Sequence, residues 1–145
     1  MHKIFGQKEH ETYTDRTGAY LIPVQDNTIG VIQTSKGYFL IGGGKEENET
    51  DEDCIYRECL EETGCEATIR QKICCAEAYT THPVIGYFHP VQTYYTGTIT
   101  EKRKEPAEQD HQFLWIPYEL LKGNLYSDMQ NWALQQAWIK HQHIT

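Results

Sequence analysis

Three glutamates at helical spacing pose the first chemical question of this sequence. Glu58, Glu61 and Glu62 stand at i, i+3 and i+4, a spacing that gathers their carboxylates on one helix face. Helix signals bracket them. The triplet Gly42, Gly43 and Gly44 leads in, Thr50 can cap the N-terminus, Asp51, Glu52 and Asp53 fill the first turn, and Gly64 ends the pattern. The acidic first turn suits the positive end of the helix dipole. Glu58, Glu61 and Glu62 instead lie in the last two turns, where the dipole favours cations. Like charges at this spacing destabilise a helix by about 0.2–0.5 kcal/mol per pair. An arbitrary Glu-rich helix is usually no more than a solvated face, but two neighbours argue for chemistry here. Arg57, beside Glu58 and eight residues after Glu49, can tie loop to helix by an arginine–carboxylate pair. The glycines let backbone approach a ligand closely. A hard divalent cation, Mg²⁺ or Mn²⁺, would turn the repulsion into coordination.

Gly43, five residues, Glu49, seven residues, then Arg57, Glu58, Cys59, Leu60, Glu61, Glu62, Thr63, Gly64 and Cys65 resembles the Nudix box, GX5EX7REUXEEXGU with U apolar. Every fixed position is filled. Cys59 and Cys65 stand where the family usually has Ile, Leu, Val or Ala, a mild departure because cysteine packs as a small hydrophobe. The resemblance implies an α/β (α+β) fold, an α/β/α sandwich around a mixed β-sheet. It implies a divalent-metal-dependent hydrolase of nucleoside diphosphates linked to a further group (NDP-X), with (d)NTP or oxidised-nucleotide pyrophosphohydrolysis within the same class. Water would attack phosphorus. By this likeness Glu58, Glu61, Glu62 and the Gly42 carbonyl are metal ligands, Mg²⁺ first and Mn²⁺ second. Glu49 and Arg57 orient the site and join Glu58 and Glu61 in the catalytic set, while Gly43 and Gly44 face substrate. The general base differs between members and can lie outside the box. Glu77, Glu105, Glu108 and Asp110 are candidates, with Glu108 or Asp110 preferred because they precede the Trp115 strand. The alternative on the same fold is a nucleotide-binding sensor without hydrolysis, which usually goes with lost box glutamates; none is lost here. An isomerase acting on a diphosphate-bearing substrate is the third reading.

Composition bounds these readings. The chain has 145 residues, 39% hydrophobic and 23% charged, as expected for one globular domain over residues 1–145. Its net charge of −8 argues against duplex nucleic acid as a partner, because that binding needs clustered Lys and Arg. A phosphorylated small molecule remains compatible if metal ions intervene. No apolar run approaches the ~18 residues of a membrane span, and the first residues lack an apolar signal region. Five cysteines without CxxC spacing suggest reduced thiols in a cytoplasmic protein; zinc on Cys74, Cys75 and a histidine is the minor alternative. A homodimer is left open.

The elements that must position the glutamates follow from pattern. Residues 1–16 read as a loose arm or a short edge strand. Residues 18–24 read as a strand that Pro23 pushes toward an edge or bulge. Residues 28–34 and 38–41 read as a hairpin that feeds a glycine loop and then a helix at about 50–63. One long or bent strand spans residues 66–79, a loop 80–90, a strand 91–100, a charged loop 101–111, and a short strand 113–116. Pro117 opens a helical turn, and Ser127 to Gln130 form a capping-box pattern for a last helix at about 128–141, with Met129, Trp132, Ala133, Gln136 and Ala137 on one stripe. In loop 80–90, Tyr87 and Phe88 beside Gly86 could stack on a nucleobase. His82, His89 and His111 read as ordinary surface residues. Lys102, Arg103 and Lys104 read as a solvated turn with phosphate steering as the other reading.

Overall fold

The computed structural model describes residues 1–107 and 110–144, of Ile144 the backbone alone. Within them the order is β1 (His2–Phe5), β2 (Thr14–Gln25), β3 (Thr28–Thr34), β4 (Gly37–Phe39), β5 (Ile41–Gly44), α1 (Asp51–Thr63), β6 (Cys65–Ala78), β7 (Thr80–His82), β8 (Gly86–Lys102), β9 (Gln112–Pro117), α2 (Tyr118–Leu121) and α3 (Asp128–Ile144). The sheet is mixed. β2 runs parallel to β8 and antiparallel to β5 and β3, and the main path is β1-β6-β8-β2-β3-β4. This is the α+β architecture expected.

Alternation along β2 explains the layering. Ala19 and Leu21 pack with Cys54, Ile55 and Cys59 of α1 on one side. Tyr20 and Ile22 pack with Ala133, Leu134, Ala137 and Trp138 of α3 on the other. The helices thus cover opposite sheet faces. Cys54 and Cys59 belong to the α1 core and Cys74 to the α3 core, and all five cysteines are free thiols.

Several expectations change. Of the two readings of residues 1–16, the short edge strand replaces the loose arm: β1 stands at the sheet edge and pairs parallel with β6, His2 opposite Cys75, and β2 already begins at Thr14. Pro23 is at neither an edge nor a bulge. It is buried inside β2, opposite Gly97 of β8, in the interval between pairing with β5 up to Leu21 and with β3 from Val24, where a missing N–H costs no ladder bond. The glycine triplet is strand rather than loop, since Gly42, Gly43 and Gly44 pair with Tyr20, Ala19 and Gly18. Residues 80–90 are mostly a hairpin, with β7 folded onto the start of β8. The capping box of α3 is half formed. The Ser127 hydroxyl accepts from the Gln130 amide at 3.4 Å, but the buried Gln130 side chain accepts instead from the Leu40 amide at 2.8 Å. The apolar stripe of α3 also includes Leu134 and Trp138, and Gln136 is only half-buried.

Candidate active site

The helix that carries the three glutamates is closed at both ends by its own sequence. Thr50 accepts from the Asp53 amide at 3.1 Å and Asp53 accepts from the Thr50 amide at 3.3 Å, a complete capping box. Gly64 ends α1 with φ +75°, and a Cβ there would stand 2.0 Å from the Lys104 carbonyl oxygen, so only glycine fits. Asp51 anchors the first turn to the sheet by accepting from Tyr95 Oη at 2.6 Å, with Lys45 Nζ at 3.0 Å.

Arg57 is the centre of the site. Its Nε and Nη2 donate to the two oxygens of Glu49 at 2.6 and 2.9 Å, a bidentate pair. Nη2 also reaches the Gly44 carbonyl at 3.1 Å, and Nη1 reaches Glu58 Oε1 at 2.7 Å and Glu61 Oε2 at 3.6 Å. The guanidinium holds the Glu49 carboxyl down at about 2, and the carboxylates raise Arg57 above its ordinary value. With Glu46 Oε1 also 3.7 Å from Nε, one positive charge faces four carboxylates, and the balance stays negative.

The remaining glutamates are set by the β5 backbone. The Glu58 carboxylate lies on Gly43, where a Cβ would be 2.9 Å from its carboxyl carbon. Glu62 is buried, and its Oε1 accepts from the Gly42 amide at 3.0 Å. A Cβ on Gly42, at φ +147°, would collide with the Ala19 carbonyl at 2.3 Å. Gly44 opens beside the Arg16 guanidinium, whose Nε would be 2.5 Å from a Cβ there. Glu61 is the most exposed of the three, at 39% of its side chain.

The structure thus brings Gly42, Gly43, Gly44, Glu49, Arg57, Glu58, Glu61 and Glu62 together. Of the base candidates, Glu108 lies outside the described residues, and Asp110 is in an exposed turn. That loop is latched to α1, because the Ala107 amide donates to the Glu61 carbonyl at 2.9 Å and Arg103 and Lys104 both donate to the Gly64 carbonyl. Glu105 pairs with Lys102 at 2.9 Å. Glu77 belongs to another cluster: it accepts from His89 Nε2 at 2.9 Å and contacts His2, while His89 Nδ1 meets Asp15 at 2.8 Å. His89 Nε2 and the His2 contact hold the Glu77 carboxyl below its usual range.

A small cavity of about 190 Å³ adjoins Gly44, lined by Arg16, Gly18, Tyr20, Phe88 and Gln92 among others. Phe88, Pro90 and Gln92 are shared with a wider groove of about 860 Å³ that runs to Lys36, Tyr126 and Asp128. Phe88, a β8 residue rather than a loop residue, lines both spaces, whereas Tyr87 lines neither. Its ring stacks on His10 at 4.2 Å and meets Tyr13 edge-on at 5.4 Å. Burial and the neighbouring Glu62 and Glu58 push the Tyr20 hydroxyl above its ordinary range.

Reading from sequence missed Arg16, Tyr20 and Gln92. Pairing of β2 with β5 and β8 assembles them, and no local pattern marks them. It also undervalued His111, whose Nδ1 is buried without a hydrogen-bond partner among the described residues and 4.0 Å from Glu62 Oε2.

Among the described residues no three His, Cys, Asp or Glu groups converge as a ready-made metal cage. The donor chemistry nonetheless fits a divalent ion. Hard carboxylate oxygens share one face, their charge is only partly balanced by Arg57, and a buried histidine nitrogen lies beside them.

Comparison with known proteins agrees with this geometry. The family model described as NUDIX domain matches residues 14–136, and the chain belongs to the Nudix hydrolase family. A MutT NUDIX hydrolase from Burkholderia pseudomallei has a similar structure, with TM-score 0.71 and 21% identity over 85% of this chain and 98% of that one. A NUDIX hydrolase from Nitrosomonas europaea superposes with TM-score 0.71 at 12% identity, covering 88% and 90%. A UDP-X diphosphatase gives TM-score 0.64 at 20% identity, covering 91% of this chain and 66% of the other. No curated protein sequence matches. The chain is thus an enzyme of the class that hydrolyses nucleotide-linked pyrophosphate bonds.

Proposed function

We propose that this chain, as a single domain, hydrolyses a nucleoside diphosphate linked to a further group X by water attack on phosphorus. The observation that carries this reading is the continuity of the α1 carboxylates, through Gly43 and Gly44, with a cavity holding Arg16 and Phe88 and opening into the groove beyond. A UDP-X diphosphatase among the similar structures carries this substrate class in its name.

Glu58, Glu61, Glu62 and the Gly42 carbonyl would hold Mg²⁺ or Mn²⁺. A bound divalent ion supplies phosphate-charge neutralisation and a lowered pKa for bound water. This chain's own residues do the rest. Arg57 keeps Glu49 and Glu58 in place, so that the helix face is preorganised. Arg16, which makes no ion pair among the described residues, binds a phosphate oxygen by its planar fork. The groove past Phe88 receives the nucleoside or X, and Gln92 can supply a hydrogen bond there. Glu108 or Asp110 takes the proton from water; the segment before them, residues 103–107, is tied to α1 through the Gly64 and Glu61 carbonyls.

The test is Mg²⁺-dependent turnover across (d)NTPs, oxidised dGTP, ADP-ribose, dinucleoside polyphosphates and nucleotide sugars in ¹⁸O water. NDP-X should yield a monophosphate and phospho-X, with label in one phosphate. Label on carbon, or release of the γ-phosphate alone, overturns the mechanism. Glu108→Gln and Asp110→Asn locate the base: the true one lowers kcat while KM changes little.

A further inference from the structure

A second cavity, of about 460 Å³, lies on the α3 side of the sheet, against the opposite face from α1. Its size is that of a small-molecule site. Arg70 and Gln71 of β6, Lys140 and His141 of α3, and the apolar Ile73 and Val24 are among its walls, and among the described residues no carboxylate is. In a chain of net charge −8, a cavity walled by two permanent cations and, among the described residues, no acid is a local reversal of potential. Neither Arg70 nor Lys140 makes an ion pair among the described residues.

Strand geometry makes this placement specific. Successive strand residues point to opposite faces, so Arg70 and Gln71 should not share a cavity. They do so because β6 is irregular here. Ile69 pairs with Gly97 and Gln71 with Thr96, leaving Arg70 as an extra residue, and a second shift between Lys72 and Cys74 leaves Ile73 as another. Both extra residues face the cavity. Bulges re-aim side chains in this way.

We infer that this cavity binds the phosphate group of a small organic molecule, with Arg70 and Lys140 on the phosphate and Val24 and Ile73 under its body. The arginine fork suits the tetrahedral anion, and the apolar floor favours a ligand larger than the anion alone. The inference does not depend on hydrolysis at α1.

The test is amide NMR titration of the full chain in EDTA, where the carboxylate face repels anions. AMP and inorganic phosphate are the probes, each taken to ~10 mM, well above a millimolar Kd. The expected result is saturable shifts at Gln71, Thr96 and Gly97, weakened at least about tenfold in Arg70→Ala/Lys140→Ala. Both side chains are on the surface, so the variant should fold, and its basal hydrolysis should be unchanged; Lys140→Ala alone provides a milder control. Response to both probes shows that phosphate suffices, and response to AMP alone shows that the body is also read. No shift with either probe, shifts that persist in the double variant, or shifts confined to Gly43 and Glu58 overturn the inference.

Discussion

Arg57 sets the electrostatics of the site, and the carboxylates around it respond differently to loss of charge. Glu61 is half-exposed and only 3.6 Å from the guanidinium, so Glu61→Gln removes a donor without disturbing the core. Mg²⁺-dependent turnover should fall about 10²–10³-fold, the equivalent of several kcal/mol of charge stabilisation. Melting in EDTA should hold or rise, because a repulsion between helix neighbours is relieved. Mg²⁺ should raise the melting temperature of the wild type by linkage and raise that of the variant less. Glu49 predicts a pH effect. Its folded pKa of about 2 lies below the ordinary 4.5, so its contribution to stability is present above the unfolded value and is lost as pH falls from about 4.5 toward 2. Urea unfolding of Glu49→Gln should show a shallower loss across that window than the wild type. The Glu49–Arg57 tie was legible because both partners lie within one local motif. Arg16 and Tyr20 were not, because they reach Gly44 and the carboxylates only through pairing across the sheet.

At the scale of the element, α1 was legible almost to the residue, since Thr50 and Gly64 are local stop signals with strong physics. The strands were harder. β2 and β8 extend well beyond their apolar centres because a sheet partner, rather than composition, decides where pairing ends. The glycine triplet looked like loop because glycine weakens an isolated strand; β2 supplies the pairing that overrides this preference. Residues 80–90 read as loop, yet only 83–85 turn between β7 and β8. Gly64 offers the sharpest test of an element boundary. With φ at +75° and the Lys104 carbonyl 2.0 Å from any Cβ, Gly64→Ala should cost more than the roughly 1–2 kcal/mol of left-handed strain alone, read by urea unfolding. Amide shifts at residues 103–107 should move with it, because that segment hangs on the Gly64 and Glu61 carbonyls.

At the scale of the molecule, the alternation of β2 divides the interior into an α1 core and an α3 core. Order of elements and the box together made that architecture legible. The cavity under α3 was not, because it arises from two register shifts that no periodicity in residues 66–79 announces. The division has a practical consequence through the thiols. Burial pushes Cys54 and Cys59 up to about 11 and Cys74 up to about 12, so in the folded state these three are both shielded and protonated. Cys65 and Cys75 are only half-buried. A pulse of iodoacetamide read by peptide mass spectrometry should therefore modify Cys65 and Cys75 first. The order in which Cys54 and Cys59 follow, relative to Cys74, times the opening of one side against the other. The native cysteines form a two-channel clock, ticking separately for each half and needing no engineered label.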